Sequence, residues 1–432
     1  MEILVTEVVF GPLLVLSLWT IFVCFFTVKK IADKRLKIMF SLLCGSVFVY
    51  SGYGIAFPEV DDRYIVPYMI FVSSFSIPFL CLKNNKLGGC LQDRSSVDSF
   101  FETHITFLKY CTFIYLLCLF IPLVYPEFKL FQIFQTGFSG LVGFYDLRVQ
   151  YKSNALIGLI DTIRVFSTPF FFIYLTVIKE KKSSSKAPIT LFLISILLEY
   201  MRYSYMGRYQ MMINALLIFF ILKCAKGYQF DIKFKQLLYI AIGVISAVPF
   251  LYAYTFIRQG NDVEINESFG DIAKLLINSE TYYPIYYDHI VNSSYLKSQT
   301  PLTFILWLIF LPIPSIIWSG KPTLQSDAFT YSLTGMQYGD NGYSSSLPSV
   351  MGEALMYFGE SFYWIQPLIL GSVIIILINY LFKHRSTNLL SLYLIAYVLS
   401  IGRGGAASYM STIIFGVLPI IIIDKFIVNK KI

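Results

Sequence analysis

Apolar stretches of about twenty residues recur along the 432-residue chain, and short polar segments separate them. An α-helix of that length crosses the ~30 Å hydrocarbon core of a bilayer. The pattern therefore predicts an all-α integral membrane protein with about eleven transmembrane helices. The predicted spans are 3–28, 38–57, 65–82, 105–126, 156–178, 189–201, 210–222, 236–256, 361–382, 388–401 and 408–424.

Composition agrees with lipid as the main solvent. The chain is 56% apolar and only 14% charged, whereas soluble proteins carry roughly 25% charged residues. Its 26 acidic and 34 basic residues are too few to cover the polar exteriors of soluble domains of this total length.

The distribution of the basic residues predicts the orientation. Basic residues follow the first apolar stretch instead of preceding it, so we do not expect a cleaved signal peptide. With eleven spans, the connections on one side carry 21 Lys and Arg and those on the other side carry 11. The positive-inside rule then predicts a multi-pass protein with its N-terminus outside and its C-terminus in the cytoplasm. The net charge of +8 is an orientation signal, so a nucleic-acid partner is not expected.

The cysteines and histidines indicate no metal site. None of the seven cysteines lies in a predicted external loop, so we expect no structural disulfide. The three histidines, at 104, 289 and 384, lack ligand spacing with each other or with cysteine. We expect no metal and no other cofactor.

One long external segment divides the chain into three parts. Residues 1–256 form an N-terminal bundle of about eight helices, 257–360 a large external loop that is partly helical, and 361–432 the last three helices. Within the loop, the apolar run 302–317 is short and ends in Pro312 and Pro314, so we expect it to lie on or dip into the membrane surface.

Two predicted helical hairpins carry arginines at their tips. The arms 189–201 and 210–222 have thirteen residues each, or ~20 Å, and 388–401 with 408–424 repeats the design. Both tips should lie below the outer surface, where arginine requires a counter-charge. Guanidinium groups pair well with phosphate oxygens, so an anionic lipid headgroup would satisfy Arg202, Arg208 and Arg403. Alternatively, Arg202 pairs with Glu199 and the other two reach interfacial water or ordinary lipid phosphate.

Three further sets of polar residues are candidates for pairing, ligand contact or catalysis. Asp161 and Arg164 lie three apart on one helical face and should form a structural ion pair or line the cavity. Arg258 and Lys321 are outward basic groups that either contact a ligand or are solvated. An outward-facing phosphate site excludes nucleotide donors, which are cytoplasmic, and the activated donors outside a bacterial cytoplasm are chiefly lipid pyrophosphates. Glycosyl transfer from such a donor needs cations for the leaving group and a base for the attacking hydroxyl. The candidate bases are His289, Asp288 and Glu353.

The order of these features resembles the Wzy-type O-antigen polymerases, or oligosaccharide repeat-unit polymerases. The resemblance covers most of the chain and is carried by Gly207-Arg208-Tyr209, by Leu311-Pro-Ile-Pro-Ser315 with Trp318-Ser-Gly-Lys-Pro322, and by 349–359. It implies a fold like that of the glycosyltransferase C superfamily and a metal-independent, outward-facing transferase. The implied donor is an undecaprenyl-pyrophosphate-linked oligosaccharide, and a chain-length regulator protein is a candidate partner besides membrane lipid. Arg208 matches the arginine of the family's Gly-Ser-Arg-like tip.

The expected function is polymerisation of lipid-linked repeat units into O-antigen, capsule or another surface polysaccharide. Arg202, Arg208, Arg403 and Arg258 would bind the donor pyrophosphate. An O-antigen ligase that transfers to a lipid A core is the nearest alternative. A polysaccharide flippase or secondary transporter, or a membrane scaffold with a lipid-binding cavity, are alternatives from other classes. Inverted-repeat symmetry, which is common in secondary transporters, is not evident in the sequence.

Overall fold

The computed structural model contains only helical regular structure in the residues it describes, which confirms the all-α prediction for that part of the chain. The described residues are 8–81, 105–124, 155–182, 184–203, 208–224, 268–313, 318, 321–322, 324–337, 340, 345–383 and 388–428. The predicted span 236–256 lies outside them.

The helices follow the predicted order. They are α1 Phe10–Lys30, α2 Lys34–Val47, α3 Ile65–Leu80, α4 Ile105–Val124, α5 Ala155–Lys181, α6 Ala187–Tyr203, α7 Arg208–Cys224, α8 Phe269–Thr281, α9 Tyr287–Asn292, α10 Ser294–Lys297, α11 Pro301–Phe310, α12 Gln325–Thr334, α13 Ser349–Phe362, α14 Ile365–Lys383, α15 Asn388–Tyr397, α16 Leu399–Thr412 and α17 Leu418–Val428. Short π-helical turns at Phe48–Gly52 and Ile413–Val417 extend α2 and join α16 to α17, and 3₁₀-helices occupy Tyr53–Ala56, Asp62–Tyr64 and Tyr283–Tyr286.

Five helical stretches are long and apolar enough to cross a membrane, which is consistent with a membrane protein; the total of eleven spans stays a prediction. The surface of α1 has the composition expected of a helix that faces lipid. Its buried residues, Leu16, Thr20, Val23 and Thr27, form one narrow stripe, while Phe22, Phe25 and other large apolar side chains on the remaining faces are exposed. The five stretches are Phe10–Lys30, Lys34–Ala56, Asp62–Leu80, Leu159–Lys181 and Leu399–Ile423.

The described residues divide into two compact units. One contains the helices from Ile105 to Ser279, and the other contains residues 8–81 together with 280–428. In the second unit α3 packs against α1 and α14, and α13 packs against α16. The three-part division predicted from the sequence stays a prediction.

The first arginine hairpin has longer arms than the sequence indicated. α6 and α7 have 17 residues each instead of thirteen, or about 25 Å at 1.5 Å per residue. The expected shortfall against the bilayer core is therefore smaller, because the helices continue into the polar residues that we had assigned to the tip.

α11 covers part of the apolar run that we predicted to lie at the membrane surface. Leu302, Ile305 and Ile309 are 62%, 50% and 61% exposed on one face, while Trp307 on the opposite face is 6% exposed. The Phe304 ring packs 5.4 Å from that of Tyr357, centroid to centroid, which ties α11 to α13. An exposed apolar stripe fits the predicted location in the lipid interface, which stays a prediction.

Candidate functional site

The second hairpin turns at a single glycine. The Tyr409 hydroxyl donates a hydrogen bond to the Leu394 carbonyl at 3.4 Å, although fifteen residues of straight helix would separate them by ~22 Å. The chain therefore folds back between them, and Gly405 is the break, with φ 69° and ψ −169°. The sequence placed the tip at 402–408, but the structure keeps Arg403 in helical conformation and confines the reversal to Gly405, since only glycine adopts this backbone conformation readily.

Glu353, on α13, holds this turn in place through a hydrogen bond to its backbone. Its Oε2 accepts a hydrogen bond of 2.6 Å from the Ala406 N–H, the first amide after the break. A carboxylate at the start of a helix satisfies amide groups that lack a partner within the helix. A Cβ atom on Gly405 would overlap Glu353 Oε2. Both the positive φ and the close approach therefore require glycine.

The Glu353 carboxyl is withdrawn from solvent, with an exposed fraction of 0%. Removal from water raises its pKa to about 8, against the smaller opposing effect of the Ala406 and Ala407 N–H groups. Oε1 of Glu353 and both amide atoms of Gln366 form no hydrogen bond of standard geometry with any described residue. The enclosed Glu353 side chain thus holds the hairpin through Oε2, and its role as a base stays a prediction.

Arg403 projects from the same tip and contacts the segment that precedes α9. Its Nε donates to the Tyr283 hydroxyl at 3.0 Å and lies 3.8 Å from Glu280 Oε2. The side chains of Arg403 and Glu280 are 19% and 17% exposed. The Tyr283 ring stacks on that of Tyr282, with centroids 4.8 Å apart. A cation is thus held at the hairpin tip by an acid and an aromatic platform from the predicted external loop.

Two further hydrogen bonds hold the backbone of the second hairpin near its tip. The Gln325 side-chain amide donates to the Gly404 carbonyl at 3.1 Å, and the Ser46 hydroxyl donates to the Leu399 carbonyl at 2.7 Å. Gln325 is 2% and Ser46 is 4% exposed. The backbone that presents Arg403 is therefore anchored by α2, α12 and α13.

The other two candidate bases lie together in α9 but have separate partners. Asp288 Oδ1 accepts hydrogen bonds from the Arg63 guanidinium and, at 2.8 Å, from the Tyr64 hydroxyl. His289 Nε2 lies 3.1 Å from Ser332 Oγ on α12. Asp288 is thus ion-paired, and His289 is half-buried against a hydroxyl.

The structure describes the other predicted pyrophosphate ligands only in part. The backbones of Arg202 and Arg208 lie in α6 and α7, their side chains are outside the described residues, and so is Arg258 in its entirety. Glu199 forms an ion pair of 2.5 Å with Arg164, and its alternative pairing with Arg202 stays a prediction, because that side chain lies outside the described residues.

The predicted ion pair of Asp161 and Arg164 is confirmed at 3.3 Å. Arg164 therefore bridges two carboxylates on neighbouring apolar helices, since Glu199 lies on α6. The Tyr115 hydroxyl on α4 also donates to Glu199, at 3.4 Å. The bridge is a structural device that pairs charged side chains on otherwise apolar helices.

Lys321 has a structural role. Its Nζ donates to the Leu311 and Ile313 carbonyls at 3.1 and 3.0 Å, and desolvation lowers its pKa. A cation at the end of a helix satisfies carbonyls that lack intrahelical partners. Within the described residues no cluster of His, Cys, Asp or Glu could hold a metal ion.

The sequence did not indicate Glu280 and Tyr283 as partners of Arg403, or Ser332 as the partner of His289. These pairs join residues 120 and 43 positions apart. The one available signal was the tyrosine-rich run after Glu280.

In comparison with known proteins, no family model, no curated protein and no solved structure matches this chain.

Proposed function

We propose that the protein is a membrane-embedded glycosyltransferase that polymerises polyprenyl-pyrophosphate-linked oligosaccharide units into a surface polysaccharide on the outer face of the inner membrane. The observation that carries the proposal is Arg403. It is a cation at the tip of a hairpin in an apolar part of the chain, and a tyrosine and a glutamate from the predicted external loop hold it.

This arrangement suits a pyrophosphate leaving group. The guanidinium cannot lose its charge at any physiological pH, and it needs no metal to stabilise departing negative charge. Arg403 Nε lies 3.8 Å from Glu280 Oε2, so a carboxylate oxygen already occupies the position where a ligand's negative charge would bind. A pyrophosphate carries more negative charge than one carboxylate and would take the place of Glu280 at Arg403.

The aromatic residues beside Arg403 suit the saccharide. Tyr282, Tyr283 and Tyr286 pack ring against ring next to the cation, with centroids 4.8 and 5.8 Å apart along the series. Tyrosine offers an apolar ring face and a polar hydroxyl on one side chain. Tyr283 is buried, so a sugar joined to the pyrophosphate would pass over the partly exposed rings of Tyr282 and Tyr286 toward α9.

The test uses arginine variants in a host strain that lacks the gene. R403A and R208A should abolish long-chain polysaccharide while single repeat units accumulate and membrane insertion is retained. R385A, in a predicted cytoplasmic connection, is the matched control and should leave the chain-length ladder unchanged. Normal ladders from both R403A and R208A would refute the proposal. Purified protein that polymerises lipid-linked units in detergent, without a membrane potential, would exclude a transporter.

A further inference from the structure

The contact between His289 and Ser332 fixes where the imidazole carries its proton. The Ser332 hydroxyl donates to the Phe329 carbonyl at 2.7 Å. A serine has one hydroxyl proton, so in the 3.1 Å contact with His289 the Ser332 oxygen accepts and Nε2 donates. The neutral ring then has its proton on Nε2 and its basic lone pair on Nδ1.

His289 is the candidate base whose basic atom is available. Among the described residues Nδ1 of His289 accepts no hydrogen bond. Asp288 is occupied by Arg63 and Tyr64, and Glu353 is enclosed with its Oε2 on the hairpin backbone. The half-exposed imidazole is the base that a substrate hydroxyl can reach.

The spacing between the cation and this base fits one glycosyl group. Tyr283, which holds Arg403, and His289 lie on one helical segment formed by the 3₁₀-helix Tyr283–Tyr286 and α9. Six residues along it rise ~10 Å at about 2.0 and 1.5 Å per residue. The path from a bound phosphate oxygen through the anomeric carbon to the attacking hydroxyl and its base is also on the order of 10 Å.

We propose that His289 Nδ1 accepts the proton of the acceptor-sugar hydroxyl and that Ser332 is the positioning residue that holds the ring for this step. The proposal rests on the proposed glycosyltransferase function. The hydroxyl oxygen forms a bond to the anomeric carbon, and its proton passes to Nδ1. The bond from that carbon to the pyrophosphate oxygen breaks, and the pyrophosphate leaves with the electron pair toward Arg403. His289 then releases its proton to water.

The experiment uses the full chain and lipid-linked repeat units extracted from a host strain that lacks the gene. H289Q places an amide donor near the position of Nε2 and so keeps the Ser332 contact, but it has no base at the δ position. It should lose about 10²–10⁴-fold in kcat. H384N, in a predicted cytoplasmic connection, is the control for histidine substitution and should retain the wild-type rate.

Ser332 variants separate positioning from folding. S332A should lower kcat about tenfold and leave KM unchanged, as expected when a group acts only in the transition state, while S332T, which keeps a hydroxyl, should restore the rate. In protein labelled with ¹⁵N-histidine, the His289 Nε2–H signal should be protected from exchange in wild type and S332T and exposed in S332A.

The outcomes distinguish this inference from the function on which it rests. Failure of the wild-type protein to form polymer would overturn the proposed function. A polymerising wild type with unchanged kcat in H289Q would overturn the role of His289 alone. An Nε2–H signal equally protected in S332A and wild type, or a loss of activity that S332T does not restore, would overturn the role of Ser332.

Discussion

Replacing Glu353 by glutamine should stabilise the protein increasingly as the pH rises. Glutamine keeps an oxygen that can accept from the Ala406 N–H, which glutamate now does at 2.6 Å, but it cannot ionise. Below the ordinary glutamate pKa of 4.5 both the folded and the unfolded wild-type chain hold the proton. Between 4.5 and about 8 the unfolded chain releases it and the folded chain retains it, so wild-type stability falls with pH.

The size of the effect follows from the two pKa values of Glu353. A difference of one unit corresponds to 1.36 kcal/mol, so the window from 4.5 to about 8 amounts to about 5 kcal/mol in the free energy of unfolding. At pH 7 the wild type should have lost about 3 kcal/mol of this. The advantage of E353Q should therefore be close to zero at pH 4, about 3 kcal/mol at pH 7, and constant above pH 8.

Thermal unfolding of both proteins in detergent, followed by tryptophan fluorescence between pH 4 and pH 9, would measure this difference. E360Q is a matched control, because Glu360 lies seven residues further along the chain, beyond the backbone break at Gly359, and is exposed. Its melting temperature should follow that of the wild type at every pH. A constant offset between E353Q and the wild type across the whole range would refute the reasoning, since it would show that Glu353 has the same pKa in both states.

Three further substitutions test other parts of the structure. G405A should destabilise far more than G335A in thermal unfolding, because both glycines have φ near 70° but only a Cβ at 405 meets a side chain; equal losses would contradict the role of Glu353 in holding this turn. R164A should lower the free energy of unfolding by about 2 kcal/mol, the range of hydrogen bonds to charged groups, and the additional loss from E199A should be smaller in R164A than in the wild type, as a double-mutant cycle would measure. A spin label at I305C should be more accessible to dissolved oxygen than to a water-soluble nickel chelate if α11 lies in lipid; the reverse order would place it in water.

Much of the helical framework could be predicted because it depends on local composition. α5 was expected at 156–178 and is Ala155–Lys181, and α3 was expected at 65–82 and is Ile65–Leu80. An apolar run of this length can form few structures other than a helix in a membrane, because every backbone hydrogen bond must be satisfied within the segment. The hairpin tip that contains Gly405 could also be predicted from local composition, because a glycine-rich segment separates two apolar runs there.

The site was less predictable because its contacts are distant in sequence. Arg403 could be identified from its location, but its pairing with Tyr283 and Glu280 depends on how two separate segments pack. Glu353 was selected as a candidate base because it is a carboxylate of the predicted external loop. That reasoning could not see that α13 is buried against the hairpin, where the carboxyl serves as a helix cap.

The contact between Glu353 and Ala406 also has a consequence for biosynthesis. The ribosome adds Glu353 some fifty residues before the amide that it binds, so α13 is complete while its carboxyl still lacks its partner. The turn at Gly405 can reach α13 only after the last hairpin has been synthesised. Closure of this contact is therefore a late event, and a chain that ends before residue 406 would lack the amide that Glu353 binds.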